Sequence, residues 1–410
     1  MKRSYSTKSI LLATALALGI ATANSTAEQK HQWTNFVSDI NGVAPVSDSN
    51  LVNPWGLVPG EEGKTLWVAN NGTGTLTRYN LKGQPFVVSG NSDPEVVTIP
   101  PAVGNSTGVP TGLVLNHAAF DSTRTNEFLI PPNTAGAKPS RLLTVTEDGL
   151  IVGFNPNADA SNGIVGRTVA GAVYKGLALA FVSGGAGQPD KHRLFAANFA
   201  TGKIDVFESD FSPVTLAQGA FSDVDAGFAP FNIKRYAHRD PLTKSTLRVL
   251  LVAYAKINQA NPGDDEAGPG NGYVSVYKTD GTLVGRLVAH SANNGLNSPW
   301  GMAIQRGRSQ NKDTLLVGNF GDGTIHAFNL NGVFADSLPH PATDEGPLLG
   351  KHGNPLVFDN LWALHFSQTP ESIKQFSLDD DELGPDEEGA LYFTAGIVDE
   401  NDGLMGKITH

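Results

Sequence analysis

Two stretches of the chain concentrate carboxylates among Gly and Pro. Residues 256–271 carry Asp264, Asp265 and Glu266, and residues 396–403 carry Asp399, Glu400 and Asp402. Carboxylates and carbonyls on Gly-rich loops are what a hard cation such as Ca²⁺ takes. Two carboxyls held roughly 5–9 Å apart can instead work as general acid and base. Neither stretch has EF-hand spacing or a Gly-Gly-x-Gly-x-Asp repeat, so Asp264, Asp265, Asp399 and Glu400 are candidate Ca²⁺ ligands by composition alone. Nucleophilic chemistry finds less support. The chain has no Cys and no Gly-x-Ser-x-Gly elbow. Its ten His residues fall at unrelated places, and His365 reads as a hydrogen-bonded core residue.

A second set of residues shares one position in a repeat. Asn53-Pro54-Trp55-Gly56 and Ser298-Pro299-Trp300-Gly301 open similar stretches. Each continues through an apolar run into a strand ending in Asn, Leu66 to Asn70 or Leu315 to Asn319. A β-rich run and an Asn-Leu-x-Gly turn follow in both. Weaker copies open at Pro110, Tyr174, Pro230 and Leu361. Equivalent positions are then Trp55, Thr111, Lys175, Phe231, Trp300 and Trp362, separated by 56 to 69 residues. Six units of four short strands predict an all-β, six-bladed β-propeller, with a seven-bladed ring or paired β-sandwiches as alternatives. In blade two the strands after the first are expected near 127–130, 141–146 and 150–154. The last unit supplies only three strands, and Trp33 to Asp39 is expected to close it and remove an open edge.

A propeller brings the loops entering first strands and those joining second to third strands onto one face. The shared position therefore predicts either an aromatic-lined channel mouth with one cation, suited to a sugar or a flat ligand, or rings packed between adjacent blades. Lys175 among aromatics needs a partner. Asn70, Asn198 and Asn319 end second strands; they either cap turns or present amides to a ligand or ion. Candidate binding residues are thus Trp55, Asn70, Lys175, Asn198, Phe231, Trp300, Asn319 and Trp362.

Composition narrows the classes further. With 410 residues, 40% of them hydrophobic, the chain can bury a large core. Its net charge of −11 argues against a grip on nucleic-acid phosphates. Lys2, Arg3 and Lys8 precede the apolar run Ile10 to Ile20 and small-x-small sites near Ala23 and Ala27. Residues 1–27 therefore read as a cleaved signal peptide, a lone membrane anchor being the alternative. The expected mature domain spans 28–410, carries −14, lacks a membrane span and is placed outside the cytoplasm, secreted or periplasmic. Half of that charge sits in residues 371–388, with eight acids and one Lys, expected on the opposite face.

These phrases resemble NHL-type propellers and, more specifically, an uncharacterised family of secreted bacterial propellers that often carry a C-terminal PEP-type sorting signal. The resemblance rests on Val52 to Gly56, Leu66 to Thr75, Leu194 to Phe207, Phe228 to Ile233, Asp264 to Gly272, Leu315 to Ile325 and Leu391 to Gly396. Nothing resembling the sorting signal stands before His410. The resemblance implies a fold and a compartment, with no agreed reaction. Sugar-lactonase-like propellers place a Glu where this chain has Asn53-Pro54-Trp55. No His occupies the ring position that an amidating-lyase-like zinc site uses. The expected function is recognition of a small molecule, glycan, peptide or envelope protein by a monomer. The alternative is a hydrolase or lyase using mouth carboxylates, with or without Ca²⁺.

Overall fold

The computed structural model describes residues 30–409, apart from 62, 91, 94, 122–125, 184–189, 240–245, 308–312, 335–339 and 367–388. The segment 1–27 and the acidic stretch 371–388 lie outside the described residues.

Alternating apolar residues and Gly-rich turns every few residues favour short antiparallel strands, and six sheets of these form a six-bladed β-propeller. Blade one runs Pro54–Pro59, Thr65–Asn70, Thr75–Asn80 and Val96–Thr98. Blades four and five repeat this four-strand order from Phe228–Arg239 and Pro299–Gln305. No helix among the described residues is long and apolar enough to cross a membrane.

Blade six closes as expected. Leu361–Phe366, Leu391–Ala395 and Leu404–Thr409 are completed by Lys30–Ser38, whose register runs from Gln32 opposite Thr409 to Ser38 opposite Leu404. Ser38 Oγ adds a buried bond to the Gly403 carbonyl at 2.7 Å. Strand pairing between distant segments thus satisfies the last edge without a disulfide.

Two expectations need correction. The segment near 127–130 is not a blade strand; Leu129–Ile130 pairs only with Lys138–Pro139, in a small hairpin between the first and second strands of blade two. The outer strand there is Ile164–Thr168. Among the described residues blade three shows three strands rather than four, Tyr174–Val182, Lys191–Asn198 and Lys203–Phe207. Its outer edge is met only by an isolated bridge, Val214 N to the Val206 carbonyl and Glu208 N to the Ser212 carbonyl, around Pro213, which has no N–H to extend a ladder.

The first strands meet closely around the axis, and the residue after the shared position is Gly in four of the six blades. A Cβ on Gly56 would lie 2.6 Å from the Thr111 carbonyl oxygen, and one on Gly112 would lie 2.5 Å from Leu177 N. Pairing with the second strand is interrupted around this position in every blade, as between Pro54 and Leu57 or Pro299 and Gly301. Such a bulge re-aims a side chain, and here it does so six times around one axis.

Candidate functional site

The six shared positions neither line an open mouth nor pack between neighbouring sheets alone. They pack against one another across the axis. None of Trp55, Thr111, Lys175, Phe231, Trp300 and Trp362 is more than 4% exposed. Trp55 stacks on Trp362 with centroids 3.5 Å apart, and Trp300 meets both edge-on at 5.9 and 5.7 Å. Trp300 Nε1 donates to the Lys175 carbonyl at 3.2 Å, linking blades five and three. An aromatic plug therefore fills the channel at this level, and its faces are not available to stack on a sugar.

A second tier comes from the residue that follows each second strand: Asn71, Glu147, Phe199, Ile257, Phe320 and Gly396. Phe199 packs on Phe231 at 5.5 Å and Phe320 stacks on Trp362 at 4.2 Å, thickening the plug. Glu147 completes a charge cluster. Its Oε1 accepts from Lys175 Nζ at 2.6 Å and its Oε2 from Asn71 Nδ2 at 2.9 Å. Lys175 Nζ also donates to Asp264 Oδ1 at 3.1 Å and lies 5.1 Å from the Trp55 ring centroid. Burial works against the ammonium, but Glu147 and Asp264 outweigh it and hold Lys175 above its ordinary value.

Glu400 reaches the same cluster from blade six. Asn53 Nδ2 donates to Glu400 Oε2 at 2.7 Å, while Asn53 Oδ1 accepts from Trp362 Nε1 at 2.9 Å. Burial pushes the Glu400 carboxyl up to about 7; the Asn53 bond opposes this, and the charges of Glu147 and Asp264 add to it. Asp265 is raised as well, chiefly by burial. Val398, Asp399 and Glu400 are consecutive residues at φ of 57°, 51° and 64°, a left-handed run that non-Gly residues rarely adopt. Asn53 and Ser298, each preceding a Pro-Trp-Gly, sit at φ of 43° and 49°. Strain of this kind, about 1–3 kcal/mol per residue, collects where a side chain must be delivered to a set place.

The structure thus brings together Lys175, Asp264, Asp265 and Glu400 from the expected residues. Asp399, expected beside them, is exposed and stays outside; the left-handed turn that carries Glu400 inward carries Asp399 out. Among the described residues no group of three or more His, Asp and Glu is arranged to hold a metal ion. The position between Glu147 and Asp264 is held by the Lys175 ammonium.

The strand-ending amides are engaged within their own blades. Asn70 Nδ2 donates to Thr75 and Thr77 hydroxyls at 3.1 and 2.9 Å. Asn198 Nδ2 donates to Asp205 at 2.8 Å and its Oδ1 accepts from Val173 N. Asn319 Nδ2 donates to the Gly295 carbonyl at 2.9 Å. Asn198→Ala is expected to cost about 1–2 kcal/mol in urea unfolding and to leave any ligand affinity at the mouth unchanged. Altered affinity with unchanged stability would show that the amide faces a ligand instead.

No family model matches the chain. Its sequence is similar to two uncharacterised proteins of Acanthamoeba polyphaga mimivirus. One is 29% identical over 386 residues, covering 91% of this chain and 78% of the relative. The other is 28% identical over 380 residues, covering 91% and 84%. Among solved structures, the chain resembles a protein of unknown function from Bacteroides thetaiotaomicron with a TM-score of 0.46 at 9% identity, over 93% of this chain and 76% of that one. It also resembles the β-propeller domain of Myceliophteria thermophila Cps50 (Swd1), with a TM-score of 0.43 at 12% identity, over 86% and 95%. The matched relatives carry no described activity.

Glu147, Asn71 and Asn53 were not among the residues expected from sequence. Glu147 stands beside Asp148 in the short turn Glu147-Asp148-Gly149, where nothing in composition singles it out. The signal that finds it is repeat position, since it occupies in blade two the place of Asn71, Phe199 and Phe320.

Proposed function

We propose that this propeller is a recognition module whose site is the carboxylate cup above the aromatic plug, and that the cup takes a cationic group of a small molecule or peptide. Glu147 and Asp264 pair with the one ammonium, and Asp265 and Glu400 are near enough for its charge to act on their carboxyls. The observation that carries the reading is Glu400: burial with too little positive charge nearby keeps its proton on up to about pH 7. A ligand ammonium or guanidinium supplies the missing charge and expels that proton. Buried aromatic faces argue for a charged ligand over a stacked sugar ring. Export to the periplasm or medium, the bacterial family and processing at residues 1–27 belong to this proposal too.

The test is calorimetric titration with arginine methyl ester near pH 6.5, in buffers of differing ionisation heat. Binding is expected with proton release, and Glu400→Gln is expected to abolish the release. No binding at millimolar probe, or binding without proton release, would overturn the reading. A parallel titration with Ca²⁺ against EDTA reads whether a divalent ion competes for the same carboxylates.

A second reading is favoured by the same carboxyl. Glu400, protonated near neutrality, could act as general acid while Glu147 or Asp264 serves as base, giving a hydrolase or lyase. Turnover of ester, lactone or glycoside substrates with a limb near pH 7, lost in Glu400→Gln, would select it.

A further inference from the structure

Five blades carry a described strand on their outer edge: Val96–Thr98, Ile164–Thr168, Leu283–Val288, Thr343–Pro347 and Lys30–Ser38. In blade three the outermost described strand is Lys203–Phe207, and Pro213 opposite Phe207 ends its ladder. Val206 and Glu208 turn backbone groups outward, since they bond Val214 N and the Ser212 carbonyl. Ile204, two residues before Val206, turns its N–H and carbonyl the same way. Its counterparts, six residues after the strand-ending Asn, are both paired: Leu76 with Val97, and the Ile325 carbonyl with Leu348 N at 2.7 Å. Ile204 has no outward backbone partner among the described residues. It is only 4% exposed, so these two polar groups face a recess and need a partner there.

A cleft of about 300 Å³ takes the place of the missing strand. Val214 and Leu216 pack with Ile204 and Val206 on the blade-four side. Arg167 and Val169 of blade two line the other side, to which Lys203, Asp205 and Phe207 point. That side is cationic. Lys203 is exposed and holds no ion pair among the described residues. Arg167 Nη1 donates to the Phe211 carbonyl at 3.2 Å, and its buried Nε has no partner among them. Asp205 Oδ2 is already taken, by the Tyr174 hydroxyl at 2.9 Å and Asn198 Nδ2 at 2.8 Å.

Pro and Lys on an edge discourage indiscriminate pairing, so a strand added here must bring matching charge. We infer that the open edge of blade three is a docking site for an extended acidic segment of a partner protein. The segment adds antiparallel as a fourth strand, with one residue exchanging both backbone bonds with Ile204. That residue lies beside Ile204 and Leu216 and is apolar; its two neighbours face Lys203 and Arg167 and are acidic. The site is on the rim of the ring and does not depend on what the carboxylate cup takes.

The probe is an acetylated Thr-Glu-Val-Glu-Thr amide, titrated into the full chain by calorimetry and followed by amide hydrogen exchange. Binding is expected, with slowed exchange at the Ile204 N–H. Methylating the central valine nitrogen removes the donor to the Ile204 carbonyl and is expected to weaken binding about tenfold. Lys203→Glu changes an exposed side chain and is expected to weaken it about fivefold, while a peptide with Lys in place of Glu gains. No binding at millimolar peptide would overturn the proposal, as would equal affinity for the methylated peptide or slowed exchange only outside blade three. Protection of the Ile204 N–H that grows with protein concentration, without peptide, would also overturn it by giving the edge to a second copy of this chain.

Discussion

Lys175→Met is expected to destabilise the protein by about 1–3 kcal/mol near neutral pH, because it strips the cation from Glu147 and Asp264, whose side chains are 27% and 54% exposed and so partly solvated. The side chain is 1% exposed and bridges Glu147 in blade two to Asp264 in blade four at 2.6 and 3.1 Å. Its folded-state value is raised, so its contribution is complete at any pH below the ordinary lysine range and is lost only as pH rises past the raised value. Across neutral and acidic conditions the ammonium itself therefore does not titrate. Titration falls on Glu400, whose carboxyl burial raises to about 7, and the loss in Lys175→Met is expected to shrink at about pH 5, where that carboxyl is protonated. The measurement is urea unfolding of both proteins at the two pH values. Adding Glu147→Gln to Lys175→Met is expected to restore part of the loss, which separates charge from packing. Equal stability of Lys175→Met and the parent would show that the cup does not depend on its counter-ion.

Trp362→Ala is expected to cost more, about 3–5 kcal/mol, by a different route. The ring stacks on Trp55 at 3.5 Å and on Phe320 at 4.2 Å, and meets Trp300 edge-on at 5.7 Å. Its removal leaves a hole on the axis, where six blades meet and no one of them can close it alone. The indole N–H also holds Asn53, which in turn holds Glu400. Trp362→Phe keeps most of the ring and removes that N–H. It is expected to cost less in thermal unfolding, yet still to shift the pH at which Glu400 releases its proton. An unaltered Glu400 titration in Trp362→Phe, followed by carboxyl NMR, would show that the plug and the cup are independent. Glu400 also has a stability signature of its own. A carboxyl raised from 4.5 to about 7 stabilises fully below its unfolded value, and that contribution is lost as pH climbs through about 7.

Much of the fold was legible because a repeat turns one signal into six. Pro-Trp-Gly at 54–56 and 299–301, the Asn that ends second strands and the apolar runs between them recur at blade spacing, so each weak copy supports the others. The closing strand was legible because blade six lacked a partner and Trp33 to Asp39 lacked a sheet. Details that depend on one segment were less so. The hairpin at Leu129–Ile130 has strand-like residues, and only the competition for edges decides that it stays out of blade two.

The site divides in the same way. Acidic residues on Gly-rich loops stand out in a sequence, and so Asp264, Asp265 and Glu400 were legible as a group without their arrangement. By itself, the sequence determined a six-bladed ring, one cation at a position otherwise aromatic or Thr, and acidic loops delivered to the same face. The tertiary structure decided that the aromatics close the axis instead of lining it, and that Glu147 joins the cup. It also decided that Asp399 turns away while Glu400 turns in. The physical reason is distance along the chain. Strand patterning follows from neighbours a few residues apart, whereas charges and rings contributed by different blades meet only when the ring closes, and their protonation depends on that meeting.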